Sequence, residues 1–240
     1  MQELKTFLNS NKMQRLFDVK KTQIQMVEDR GFVIPPDEIG LLKGTLKDFQ
    51  RHITAIKANS DGPLAARQCL TRQYFSPDER ESMFLFYGYK SDPSTKQISV
   101  SEITTFSDFV NGIIAAGQSS NTTLKYAVII VDYPISAQAN KNLKALESVV
   151  RCQMFYDHEI CYNPTHHILV PIHIKLSEEE KQAKMRELMV DSNKIPLMLP
   201  SDPIARYYGW SSGDMIKIIR TDTELSMLAP KSVNYRIITS

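Results

Sequence analysis

The sequence is short of cysteine. Its 240 residues hold three, Cys69, Cys152 and Cys161. So few, and an odd number, argue against a disulfide scaffold and for a reducing, intracellular setting. No run of about 18 apolar residues occurs, so no membrane-spanning helix is expected. The opening Met1-Gln2-Glu3-Leu4-Lys5 lacks the apolar stretch of a secretory signal. An excess of one charge is missing too. There are 29 basic and 27 acidic residues, a net charge of +2, and residues 1–163 and 164–240 are each close to balance. Neither part is the basic domain expected of an autonomous DNA binder. There is no Gly-rich phosphate loop, no G-x-S-x-G and no cysteine in a nucleophile's setting, so no catalytic residue, cofactor or small-molecule substrate is expected. What remains is ordinary globular composition, 42% hydrophobic and 23% charged, at a length suited to one large or two small domains.

The hydrophobic pattern alternates helices and strands. Met13 to Arg30 places Met13, Leu16, Phe17, Ile24 and Val27 near one stripe and predicts a helix stopped by Gly31. Pro35-Pro36 break the chain. A second helix is predicted from about Asp37 to Lys57, with Gly40 and Gly44 weakening its first half. Residues 58–80 show no sustained period and read as a loop or insertion. Met83 to Tyr89 reads as a strand, Ser91-Asp92-Pro93-Ser94 as a turn, and Ile98 and Val100 as a second strand. Thr105 and Asp108 resemble a capping box opening a helix through Ile114. Tyr126 to Val131 is a continuous apolar run, the mark of a strand buried on both faces. Ser136 to Arg151 reads as a helix and Gln153 to Tyr156 as a short strand. The first part is therefore α/β. Asn163-Pro164-Thr165 marks a boundary, giving domains 1–163 and 164–240.

Six potential zinc ligands, Cys152, His158, Cys161, His166, His167 and His173, crowd into 22 residues. No C-x₂₋₄-C pair nucleates a site among them, and no metal is expected. Beyond the boundary, Ser177 followed by three glutamates reads as an N-cap with dipole compensation on a helix running to Val190. Val233 to Thr239 alternates and is expected to pair with Met215–Arg220.

The most constrained stretch is Asp202 to Arg220. Asp202 is an N-cap and Pro203 takes the first helical position. Gly209 is a left-handed stop, and Ser211-Ser212-Gly213-Asp214 is a turn. Met215, Ile216, Ile218 and Ile219 follow as a strand. This unit offers no nucleophile–base pair and no ligand set. Tyr207, Tyr208 and Trp210 are large amphipathic groups suited to anchoring an interface, and Arg206 to a bidentate pair. Asp202, Pro203, Lys217 and Arg220 complete the candidate interface.

The sequence D-P-I-A-R-Y-Y-G-x-x-x-G-D-M-I-K-I-I-R, with Ile195-Pro196-Leu197 before it and Tyr235-Arg236-Ile237-Ile238 after it, resembles the C-terminal domain of the fifth-largest subunit shared by nuclear RNA polymerases, a family with an archaeal counterpart. His167-x-Leu169-Val170-Pro171-x-His173 resembles that domain's entry. Lys20-Lys21-Thr22, Asp29-Arg30-Gly31-Phe32 and Ala127–Val131 resemble the family's N-terminal domain more weakly. The first twelve residues and the 58–80 loop look like additions. The resemblance implies a non-catalytic polymerase subunit. Its restriction-endonuclease-like, catalytically inactive α/β jaw would lie near downstream duplex DNA. Its small α+β C-terminal assembly domain would dock on the largest subunit. The expected location is the nucleus, the nucleolus included, with a viral or cytoplasmic setting left open.

A nuclease of that fold needs an acid and a nearby E-x-K on a central strand to hold Mg²⁺. Within residues 1–163, acid-x-Lys occurs only as Glu3-x-Lys5 and Asp18-x-Lys20, both in the first helical region. A stand-alone nucleic-acid-binding or nuclease-like protein is the alternative reading. For DNA contact the candidates are Lys43, Lys47 and Arg51, spaced i, i+4, i+8 on the predicted second helix, with Arg67 and Arg72 of the loop as further cations.

Overall fold

The computed structural model describes residues 2–58, 66–89, 97–191, 194–220 and 232–239, with side chains from residue 11 onward. The chain divides into two compact units, 1–162 and 163–240. The predicted turn at 91–94 lies outside the described residues.

In the first unit the sheet order is β1 (Arg72–Phe75), β2 (Glu81–Tyr87), β3 (Thr123–Val131), β4 (Arg151–Tyr156). β1 and β2 form an antiparallel pair; β2, β3 and β4 run parallel. Parallel neighbours need crossovers. These are the helices α4 (Val100–Ser120), between β2 and β3, and α5 (Ala137–Leu146), between β3 and β4. Along β2, Phe84 and Phe86 pack on Phe106 and Phe109 of α4, with ring centroids 5.5–6.2 Å apart. Tyr87, on the other face, turns its hydroxyl to Gln23 of α1 (Gln2–Asp29). β3 is buried from Tyr126 to Val131 because helices cover both sides.

Several elements differ from expectation. The predicted Asp37–Lys57 helix is two helices, α2 (Pro36–Lys43) and α3 (Leu46–Ala58). Asp48 accepts from Thr45 Oγ1 at 2.7 Å and from Thr45 N at 2.8 Å, so Thr45 caps a new helix. Helix α1 starts well before Met13. The 58–80 stretch is not all loop: it contains β1, which pairs with β2 and buries Tyr74. Ile98 and Val100 do not form a strand. Ile98 makes an isolated bridge to Ile135, and Val100 opens α4 behind the capping box of Ser99 and Glu102, not Thr105 and Asp108. Helix α5 ends at Leu146, and Arg151 already belongs to β4.

In the second unit the order is β5 (Ile172–Lys175), β7 (Met215–Arg220), β8 (Ser232–Ile238), β6 (Leu197–Met198). β7 pairs antiparallel with β5 and β8, and β6 lies parallel to β8. Helix α7 (Pro203–Tyr208) packs Ile204 and Ala205 on Ile216, Ile218 and Ile238, one face of the sheet. Helix α6 (Glu178–Leu188) supplies Met185 to the other face, against Met215, Ile237 and Tyr235. Ser177 Oγ accepts from Glu180 N at 3.2 Å, and Glu180 Oε2 accepts from Ser177 N at 2.8 Å. Glu180 thus completes a capping box, and all three glutamates stand in the first turn of the helix.

Candidate assembly and nucleic-acid interfaces

Sequence chemistry fixes both ends of α7. Asp202 Oδ1 accepts from Ile204 N at 2.9 Å, and Pro203 needs no partner at the first helical position. Gly209 adopts φ +68°, which lets Trp210 N reach Ala205 O at 3.0 Å. Trp210 thereby turns back and stacks on Tyr208, with centroids 4.7 Å apart and planes 8° from parallel. His173 of β5 lies 6.4 Å from Trp210. Its Nδ1 is 2.7 Å from Pro171 O; a carbonyl only accepts, so Nδ1 carries the proton. Burial lowers the pKa of His173, against the pull of that carbonyl. Asp214 closes the following turn, accepting from Ser211 N at 2.7 Å and pairing with Lys175 at 2.8 Å.

The predicted interface residues fall in different places. Tyr207 is 1% exposed, and its hydroxyl accepts from Asn163 Nδ2 at 2.9 Å, so it belongs to the core. Asp202 is consumed as a cap. Arg206, Tyr208, Trp210 and Lys217 are half-buried, and Pro203 and Arg220 are exposed. Side chains on paired positions of neighbouring strands share a face. Register therefore puts Ile172, Ile174, Lys217, Ile219, Val233 and Tyr235 on the α6 side. Helix α6 covers only one end of that side. At the other end Ile172, Ile174 and Val233 are 55%, 43% and 48% exposed. Ile168 and Leu169, just before β5, are exposed as well. Strand periodicity could have found this apolar end: Ile172-His173-Ile174 alternates as a strand does.

The cation row on the N-terminal unit is interrupted. Lys43 ends α2, while Lys47 and Arg51 stand on α3 beyond Gly44. All three are exposed, and Arg51 reaches Asp48 at 3.2 Å. Arg67 and Arg72 are taken internally. Arg67 forks onto Asp157 at 2.7 and 2.9 Å and donates to Gly88 O and Ile130 O. Arg72 pairs with Asp37 at 2.7 Å and with Glu38 at 3.3 Å.

Lys20, part of an acid-x-Lys pair, is fully buried. Its Nζ donates to Glu38 at 2.9 Å, Gln23 at 2.7 Å and the Tyr74 hydroxyl at 3.1 Å. Burial alone would raise the Glu38 carboxyl; the Lys20 ammonium, Tyr74 and Arg72 outweigh it and hold it below its ordinary range. The nuclease requirement of acid and lysine on a central strand is not met by Asp18 and Lys20, because both lie on α1. Among the described residues no group of three or more His, Cys, Asp or Glu stands together to hold a metal. Cys152, buried in β4, has its thiol pKa pushed up to about 12.

Comparison with known proteins identifies the family. Residues 162–238 match the family model for RNA polymerase Rpb5, C-terminal domain, and residues 10–107 match that for RNA polymerase Rpb5, N-terminal domain. The chain is 28% identical over 225 residues to "DNA-directed RNA polymerases I, II, and III subunit rpabc1" of Dictyostelium discoideum, covering 93% of this chain and 96% of that protein. It is 25% identical over 235 residues to the corresponding subunit RPABC1 of Caenorhabditis elegans, covering 93% and 95%. It is 24% identical over 210 residues to "DNA-directed RNA polymerase subunit 5-like protein 1" of Arabidopsis thaliana, covering 87% and 90%. With both Rpb5 domains matched in order and relatives aligned along nearly its whole length, this chain belongs to the Rpb5 family of RNA polymerase subunits.

Proposed function

We propose that the chain is a non-catalytic structural subunit of a nuclear DNA-directed RNA polymerase. Its C-terminal domain, 164–240, is the assembly module and docks on the largest subunit. The observation that carries this reading is the uncovered end of the C-terminal sheet. Ile172, Ile174 and Val233 stand exposed there beside Lys217. Contiguous apolar surface of this kind marks a protein interface. The Tyr208–Trp210 stack, with Arg206 on the same helix, offers a second contact on the opposite face. The experiment is co-purification of tagged Arg206→Ala/Tyr208→Ala chain with polymerase subunits. Reduced recovery with an unchanged melting temperature is expected; wild-type recovery would remove these residues from the interface.

The N-terminal domain, 1–163, is a jaw near downstream duplex, with Lys43, Lys47 and Arg51 touching phosphates. Its order of three parallel strands with an antiparallel edge strand supports a restriction-endonuclease-like origin. Its chemistry is absent because no acid precedes Asp132 on β3 and Lys20 is sealed against Glu38. A chain always recovered free of polymerase subunits would return it to the stand-alone nucleic-acid-binding reading.

A further inference from the structure

The N-terminal sheet is unevenly covered on its α4 side. The buried cluster there draws on β2, β3 and β4, and no residue of β1 enters it. β1 is the edge strand, and Phe75 is opposite Ser82 in register. Both side chains therefore share the face that carries Phe84 and Phe86, the α4 face. Beyond α4, above β1, lies a groove of about 590 Å³.

The groove's wall is one face of α4. Thr105, Asp108, Phe109, Gly112, Ala116 and Ser120 line it, at the three- and four-residue spacing of a helix stripe. From Thr105 to Ser120 this wall runs about 22 Å. It is built from small residues around Gly112, where an added Cβ would meet nothing within 4 Å. Such a wall lets another helix axis approach to about 8 Å. Two large rings, Phe75 and Phe109, stand exposed at its sides. The floor holds an independent sign of a missing partner. Ser82 is 1% exposed, lines the groove, and its Oγ has no hydrogen-bond partner among the described residues. A buried hydroxyl without a partner is costly, and native structures rarely leave one. The only charged side chain lining the groove is Asp108, exposed and in no ion pair among the described residues.

We infer that this groove receives an amphipathic helix from a partner protein. That helix lies along α4 as a third member of the α5–α4 layer and covers the bare face of β1. Its apolar ridge sits over the small residues and between Phe75 and Phe109. A polar group on it satisfies Ser82 Oγ, and a lysine or arginine on it faces Asp108. The groove belongs to a different unit from the sheet end described above, so this inference stands apart from assembly through the C-terminal domain.

The test uses the full chain and a displayed library of helical peptides about four turns long. Selected peptides should share apolar residues at i, i+3, i+4 and i+7 and one basic residue. A synthetic winner should lose at least about tenfold in affinity for Gly112→Leu, which fills the open space, and for Asp108→Lys. It should bind Lys144→Ala, on α5, as it binds wild type. Gly112→Leu raises helix propensity at an exposed position, so its melting temperature should not fall; if it does, Phe109→Ala replaces it in the comparison. No winner, winners without this pattern, or binding indifferent to both substitutions would overturn the inference. So would a homodimer in sedimentation that Gly112→Leu dissolves, because the occupant would then be a second copy of the chain.

Discussion

The two units place charge and grease in opposite ways. In the N-terminal unit ionised groups are inside: Lys20, Glu38 and Asp157 are buried, and Arg67, paired with Asp157, keeps only 12% of its side chain exposed. In the C-terminal unit the one buried polar side chain among the described residues is Asn163, and the charged groups sit at the surface. Apolar residues run the other way. Among the described residues, nine of the fifteen large hydrophobic side chains left exposed belong to the C-terminal unit, although it is the smaller. Surface ion pairs contribute little and buried ones specify an arrangement at a desolvation cost. The first unit thus settles its interior by itself. The second holds enough core to fix α6 and α7 on a sheet and leaves the larger share of the exposed apolar side chains uncovered.

The sharpest way to break this contrast is Lys20→Met. Removing one member of a buried pair leaves the other unpaired, so the variant should lose about 3–5 kcal/mol in urea unfolding. Adding Glu38→Leu should recover much of that loss. The same pair has a pH signature. The folded-state carboxyl of Glu38 is lower than its ordinary value of 4.5, so its contribution is full above that value and is lost as pH falls through the folded pKa. Wild type should therefore lose stability on acidification below about pH 5, and Lys20→Met should lose less; parallel acid limbs would disconnect the pair from stability.

On the other side of the contrast, Ile172→Ser with Ile174→Ser should change stability by no more than about 0.5 kcal/mol, because both are exposed. Recovery with polymerase should nevertheless drop roughly tenfold. A large fall in melting temperature with normal recovery would invert the assignment of these residues. A smaller effect is expected from Asp202→Ala, which removes the α7 cap for about 1 kcal/mol and should act on the C-terminal transition alone. The smallest concerns Lys43→Glu/Lys47→Glu/Arg51→Glu. Retention on downstream duplex should weaken most at low salt, with a shallower salt dependence. Equal retention at every salt concentration would remove these cations from DNA contact.

Legibility in the sequence depends on whether the determinant is local. The Asp202–Gly209 helix is legible because each end is set by a side chain within a few residues. β3 is legible as an unbroken apolar run. The break between α2 and α3 is easily passed over, although Thr45 and Asp48 stand at capping-box spacing and Gly44 precedes them. β1 escapes notice because Arg72-Gln73-Tyr74-Phe75 has no clean alternation; its pairing comes from β2. Arg67 and Lys20 look like free or catalytic groups in the sequence because their partners, Asp157 and Glu38, are 90 and 18 residues away. Of the candidate interface, Tyr207 cannot be told from Tyr208 in the sequence. The sheet places one ring inward and leaves the next to stack on Trp210.

The Arg67 fork has one more consequence. Open α/β sheets keep their ligands just past the carboxyl ends of parallel strands. Here that spot is crossed by the chain's own guanidinium, which joins the residue after β2, the end of β3 and the residue after β4. A visiting anion would meet a cation already spoken for by Asp157. One guanidinium thereby ties together the carboxyl ends of the three parallel strands, a cross-link made by a single side chain.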